Sequence, residues 1–89
     1  MMEKQSIQVE ISGELGARTI AEMVQIASKY ESSMHIEFKE LTVNAKSIMG
    51  MMSLHIENGD ELTVVAEGAD EADALADLGD YIRGKNAFA

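Results

Sequence analysis

Short segments of strict apolar alternation, separated by stripes at spacings of three and four, constrain the fold of this chain more than any other feature. In Ser6-Ile7-Gln8-Val9-Glu10-Ile11 every second residue is apolar, which predicts a strand over residues 6–11 with Ile7, Val9 and Ile11 on its buried face. The glycines of Ser12-Gly13-Glu14-Leu15-Gly16 turn the backbone, and Ala17, Ile20, Ala21, Val24 and Ala27 then predict a helix over residues 17–30. Met34-His35-Ile36-Glu37-Phe38 alternates again. With Lys39-Glu40 as the turn, it pairs with Leu41-Thr42-Val43 as a hairpin that puts Met34, Ile36 and Phe38 on one face.

A short helix is expected over residues 47–54. Asn58-Gly59-Asp60 is the strongest turn signal and introduces the β-branched strand Glu61-Leu62-Thr63-Val64-Val65-Ala66-Glu67. After Gly68-Ala69, Asp70 is suited to cap a third helix. Its stripe runs through Ala72, Leu75, Leu78 and Ile82, with Asp73, Asp77 and Asp80 off the stripe. The order βαββαβα implies an α+β architecture, an antiparallel sheet with its helices segregated to one face. Ile7, Val9, Ile11, Ile36, Leu62, Val64, Leu75 and Leu78 are the expected core, and the segments 1–5 and 84–89 are expected to fray.

With 89 residues, 46% of them hydrophobic, the chain suffices for one core and so for a single domain over residues 1–89. It has no Cys, so neither disulfides nor thiolate-bound metals can hold it together. His35 and His55 have no second nitrogen or sulfur ligand at a familiar spacing, and neither metal nor cofactor is expected. The formal charge of −9 repels phosphate backbones and anionic headgroups, which argues against direct contact with nucleic acid or membrane. No basic segment leads into a long apolar run, so a cytoplasmic location is expected.

The stretch Asn44-Ala45-Lys46-Ser47-Ile48-Met49-Gly50-Met51-Met52-Ser53-Leu54 sets a hydroxyl at the mouth of a Met-rich helix. Ser47 is suited to cap that helix by accepting a backbone N–H bond. A phosphate on Ser47 would meet the same N–H groups and add a charge of about −1.5 to −2 beside Lys46. Of Ile48, Met49, Met51 and Met52, about half are expected in the core, because one helix face must pack on the sheet. The others would form an adaptable thioether surface.

This stretch strongly resembles the regulatory serine segment of HPr, the small phosphocarrier family of the bacterial sugar phosphotransferase system. The family's second motif, Gly-aliphatic-His-Ala-Arg-Pro, matches Glu14-Leu15-Gly16-Ala17-Arg18-Thr19 here, with Gly16 at the phosphohistidine position and Thr19 at that of the proline. Ala27-Ser28-Lys29-Tyr30 again is similar to the end of the family's first helix. The resemblance implies an open-faced sandwich with a four-stranded antiparallel sheet and three helices on one face.

It also implies that the protein is not an enzyme but a regulator, closest to the catabolite-repression branch of bacilli that lacks the catalytic histidine. In that branch the expected events are phosphorylation of Ser47 by the HPr kinase/phosphorylase and binding to a LacI-type catabolite control regulator. Ile48, Met49 and Met52 are then expected to contact partners. Lys46 flanks the mark, and Arg18, taken as lying near Ser47, pairs with acidic groups across an interface. Two other readings stay open: a phosphoryl carrier that uses a non-standard residue, and an interaction module without phosphorylation. His55 bears on the first, since the end of the family's second helix lies near the start of its first.

Overall fold

The computed structural model describes residues 2–11 and 15–85. Seven elements follow in the order β1 (Met2–Gln8), α1 (Ala17–Ser28), β2 (Ser33–Phe38), β3 (Leu41–Asn44), α2 (Ile48–Met52), β4 (Glu61–Glu67) and α3 (Glu71–Ile82). The strands form one antiparallel sheet in the order β1-β4-β2-β3. Period-two alternation builds its two faces: Met34, Ile36, Phe38, Leu62, Val64 and Ala66 are buried, while His35, Glu37 and Thr63 between them are partly open to solvent. The helices cover the buried face, where Met23, Ile26, Met51, Leu78 and Ile82 join the sheet residues in one core.

β1 differs from its expected span. It begins at Met2 rather than fraying there, because β4 offers a ladder partner to every residue from Met2 (opposite Glu67) to Gln8 (opposite Glu61). Residues 9–11 leave the ladder because the chain opposite them is already turning. Val9 bonds to Asp60 and Gly59 backbone, and the Asn58 side chain holds both the N–H and the C=O of Ile11 at 2.9 and 2.8 Å. Val9 is buried and Ile11 only partly so. Among the remaining expected core residues, Ile7, Ile36, Leu62, Val64, Leu75 and Leu78 are all buried. Of the expected frayed end, residues 86–89 lie outside the described residues, as do Ser12, Gly13 and Glu14 of the first turn.

The helix faces keep Val24, Ala27, Leu75, Leu78 and Ile82 of the expected stripes and differ mainly at their small residues. In α1 the buried residues are Thr19, Met23, Val24, Ile26 and Ala27, whereas Ala17 is exposed and Ile20 and Ala21 are half-buried. Alanines gave the expected stripe its regular spacing but bury little surface, so the larger Met23 and Ile26 decide which side faces the core. In α3, Ala74 is buried and Ala72 exposed for the same reason: Ala74 lies beside the Leu75, Leu78 and Ile82 face. α1 stops at Ser28, where the Lys29 and Tyr30 amides bond three residues back to Ile26 and Ala27 and tighten the last turn.

Candidate functional site

The α2 region is built by its own local hydrogen bonds. Asn44 Oδ1 accepts from the Lys46 amide at 2.8 Å and its carbonyl from the Ser47 amide at 3.0 Å, which turns the chain out of β3. Ser47 then caps α2, its Oγ accepting from the Gly50 amide at 3.2 Å. At the other end the Ser53 hydroxyl donates to the Gly50 carbonyl at 2.6 Å. The helix spans Ile48–Met52, shorter than the expected 47–54, because Ser47 and Ser53 take its orphan backbone groups.

Only one of its four large apolar side chains enters the core, not half of them. Met51 is 0% exposed, against 49% for Ile48, 86% for Met49 and 46% for Met52. A helix this short can turn one residue fully toward the sheet, and the other three form an apolar surface running from the capping serine.

Lys46 does not project freely beside Ser47: its Nζ donates to the Tyr30 carbonyl at 2.7 Å, satisfying the chain just past the end of α1. Met52 and His55, at the far end of α2, line a cavity of about 170 Å³ together with Gly16 and Ala17 at the start of α1. Lys46 thus reaches the end of α1, while Met52 and His55 share a cavity with its start.

Gly16 caps α1 without a side-chain bond, and its φ of −117° is open to any residue. A Cβ built there meets nothing within 4 Å. Glycine is thus not required by the backbone; it leaves a vacant position at a helix mouth. His55, the end of the α2 turn, has a φ of +51° and faces the same place, lining a surface pocket with Leu15 and Gly16. His35 lies on the open side of the sheet, at β2.

Arg18 pairs within its own helix. Its Nε is 3.3 Å from Glu22 Oε2 one turn along α1, and it lines a groove with Gly16, Glu22 and Tyr81 on the α3 side. Two residues here escaped the sequence reading. Glu22 and Tyr81 meet across α1 and α3 at 2.5 Å, and the Tyr81 hydroxyl also interacts with Thr19. Nothing in a linear pattern joins residues 59 positions apart. Among the described residues no group of three or more His, Asp or Glu could hold a metal, and no helix is long and apolar enough to cross a membrane.

A four-stranded β1-β4-β2-β3 sheet under three helices, with a serine capping a short apolar helix, defines a class of small open-faced sandwich proteins. Comparison with known proteins narrows it. The family model described as the PTS HPr component phosphorylation site matches residues 3–84, so the chain belongs to the HPr family of the phosphotransferase system. It is 42% identical to the HPr-like protein Crh of Bacillus subtilis over 92% of this chain and 96% of that one. Among solved structures, phosphocarrier protein HPr of Bacillus anthracis superposes with a TM-score of 0.86 at 42% identity, covering 91% of this chain and 96% of its own. The catabolite-repression protein Crh of Bacillus subtilis, described as a swapped dimer, superposes with a TM-score of 0.77 at 39% identity, covering 94% and 97%.

Proposed function

We propose that this chain is a cytoplasmic, non-enzymatic regulator of carbon catabolite repression, switched by phosphorylation of Ser47 and unable to carry a phosphoryl group at position 16. One observation carries the reading: a serine hydroxyl caps α2 directly ahead of three exposed apolar side chains, Ile48, Met49 and Met52. The HPr kinase/phosphorylase transfers the terminal phosphoryl group of a nucleoside triphosphate to Ser47 Oγ, the nucleoside diphosphate leaves, and the hydroxyl proton passes to a base of that enzyme. The phosphoserine oxygens replace Oγ as acceptors for the Gly50 amide and keep further lone pairs for cations of a partner. A LacI-type catabolite control regulator reads that charge together with the apolar surface, Lys46 supporting the turn that presents both. Likeness to Crh supports this regulatory branch.

Phosphosite mapping by mass spectrometry tests it. Incubation with HPr kinase/phosphorylase and nucleoside triphosphate is expected to label Ser47 alone, and labelling elsewhere with Ser47 unmodified overturns the reading. A second reading, phosphoryl carriage through a non-standard residue, is favoured by the place His55 shares with Gly16. Incubation with phosphoenolpyruvate and the first enzyme of the phosphotransferase system separates them: an acid-labile label on His55 establishes the carrier. A protein inert to both enzymes is instead a plain interaction module.

A further inference from the structure

We propose that Thr19, Tyr81 and Glu22 form a positioning relay for Arg18, which presents the outer edge of its guanidinium to a carboxylate on a protein partner. The partner's identity rests on the reading just given; the relay itself does not. The side chain of Arg18 is 93% exposed, and an exposed pair formed by two mobile side chains is weakly ordered. Its partner here is not mobile. Glu22 is only 20% exposed, and while its Oε2 faces Arg18 Nε at 3.3 Å, its Oε1 accepts from the Tyr81 hydroxyl at 2.5 Å.

The Tyr81 phenol lies in the core, on α3, and the buried Thr19 hydroxyl donates to its oxygen. The chain of donors thus runs Thr19 to Tyr81 to Glu22, with Arg18 donating from the other end. Burial, and then the bond to Glu22, push the Tyr81 ionisation well above the usual phenol range. One carboxylate oxygen anchored in this way leaves the other directed at a fixed point above α1.

Binding through Nε has a chemical consequence. It uses one of the five guanidinium donors and leaves the terminal nitrogens for a partner, beside the groove that Arg18 lines with Ile11, Gly16, Ala17 and Tyr81. That remaining edge matches a planar carboxylate in bidentate fashion. With nine more formal negative than positive charges, the chain repels acidic partners elsewhere, so an oriented cation here also selects where such a partner docks.

The test has two arms, both on the full-length protein. By ¹⁵N NMR, the Arg18 Nε–H of the wild type is expected to be ordered and to exchange with solvent about tenfold more slowly than in Glu22→Gln or Tyr81→Phe. By calorimetry, with the Ser47-phosphorylated protein and the host's LacI-type regulator, Glu22→Gln is expected to weaken binding about threefold and Arg18→Ala about tenfold. The double variant should equal Arg18→Ala, as it must if Glu22 acts only through Arg18. An Nε–H equally mobile in wild type and Glu22→Gln, or losses that multiply in the double variant, overturns the relay. An ordered Nε–H that is lost in Glu22→Gln, with regulator affinity unchanged in Arg18→Ala, supports the relay and overturns the partner assignment instead.

Discussion

Asp70 grips Ser32 rather than the helix it begins. Its Oδ1 accepts from both the amide and the hydroxyl of Ser32, and its Oδ2 from the Glu31 amide at 2.9 Å, so one carboxylate closes the turn between α1 and β2. The expected cap bond to α3 is absent. Glu71 performs a related task in reverse, its side chain accepting from the Gly68 amide at 3.1 Å. Sequence order made Asp70 look local, but its partners lie 38 and 39 positions away.

This clamp makes stability acid-sensitive. The Ser32 hydroxyl first, and the Glu31 amide next, hold the Asp70 carboxyl below the ordinary aspartate value of 3.8. A carboxyl depressed in the folded state stabilises it above the unfolded pKa, and that contribution is lost as pH falls through the folded value. Urea midpoints measured from about pH 5 to pH 2 are expected to fall less steeply for Asp70→Asn than for the wild type. At neutral pH the variant is expected to have the lower midpoint.

Gly68 stands against the same turn. Its φ is +151°, and a Cβ there would come within 2.7 Å of both Cα and Oγ of Ser32. Backbone cannot yield as a flexible side-chain end does, so Gly68→Ala is expected to destabilise the fold by about 2–4 kcal/mol. Chemical denaturation followed by circular dichroism checks this. Gly16→Ala, where the same addition meets open space, is the control and is expected to leave stability within about 0.5 kcal/mol.

Both tyrosines of the chain resist ionisation. Tyr30 donates to Asp77 Oδ2 at 2.6 Å, and that bond, with burial and nearby carboxylates, pushes its pKa up to about 12. Because the folded values are raised, the stabilisation is complete below the unfolded value of 10 and is lost as pH rises beyond it. Absorbance titration at the phenolate band is expected to stay flat through the ordinary tyrosine range and to rise with alkaline unfolding. Asp77→Asn is expected to bring the Tyr30 transition back toward its ordinary range.

Regulator binding is expected to depend on both parts of the α2 surface. A charge-assisted bond to phosphoserine contributes about 1.5–3 kcal/mol, so phosphorylation of Ser47 should strengthen binding at least about tenfold. Ser47→Ala should bind like the unmodified protein, and Met52→Asp should weaken both states by placing a charge among exposed apolar side chains. Calorimetry with each purified variant measures the differences. Equal affinity of phosphorylated and unmodified protein removes the switch.

The alternation of Met34, Ile36 and Phe38, and of Leu62 and Val64, made the sheet and its buried face legible, because a period of two admits a single choice of inner side. Helix faces were less legible. Small residues such as Ala17 and Ala72 satisfy a helical period without saying which side carries enough surface to pack. At the candidate site, Ser47 was readable as a cap because that bond spans three residues. The Lys46 bond to Tyr30 and the contacts of Tyr81 with Glu22 and Thr19 were not, since each depends on how elements distant in sequence are juxtaposed.

The single buried residue of α2 has a consequence for how such a protein diversifies. Within α2 only Met51 is buried, while Ile48, Met49 and Met52 are exposed, so the two sets of positions answer to different selection. A saturation library over α2 should separate them: variants at 51 sorted by whether the chain folds, variants at 48, 49 and 52 by which protein it meets. Partner preference can then drift through three exposed side chains while the scaffold beneath them stays the same.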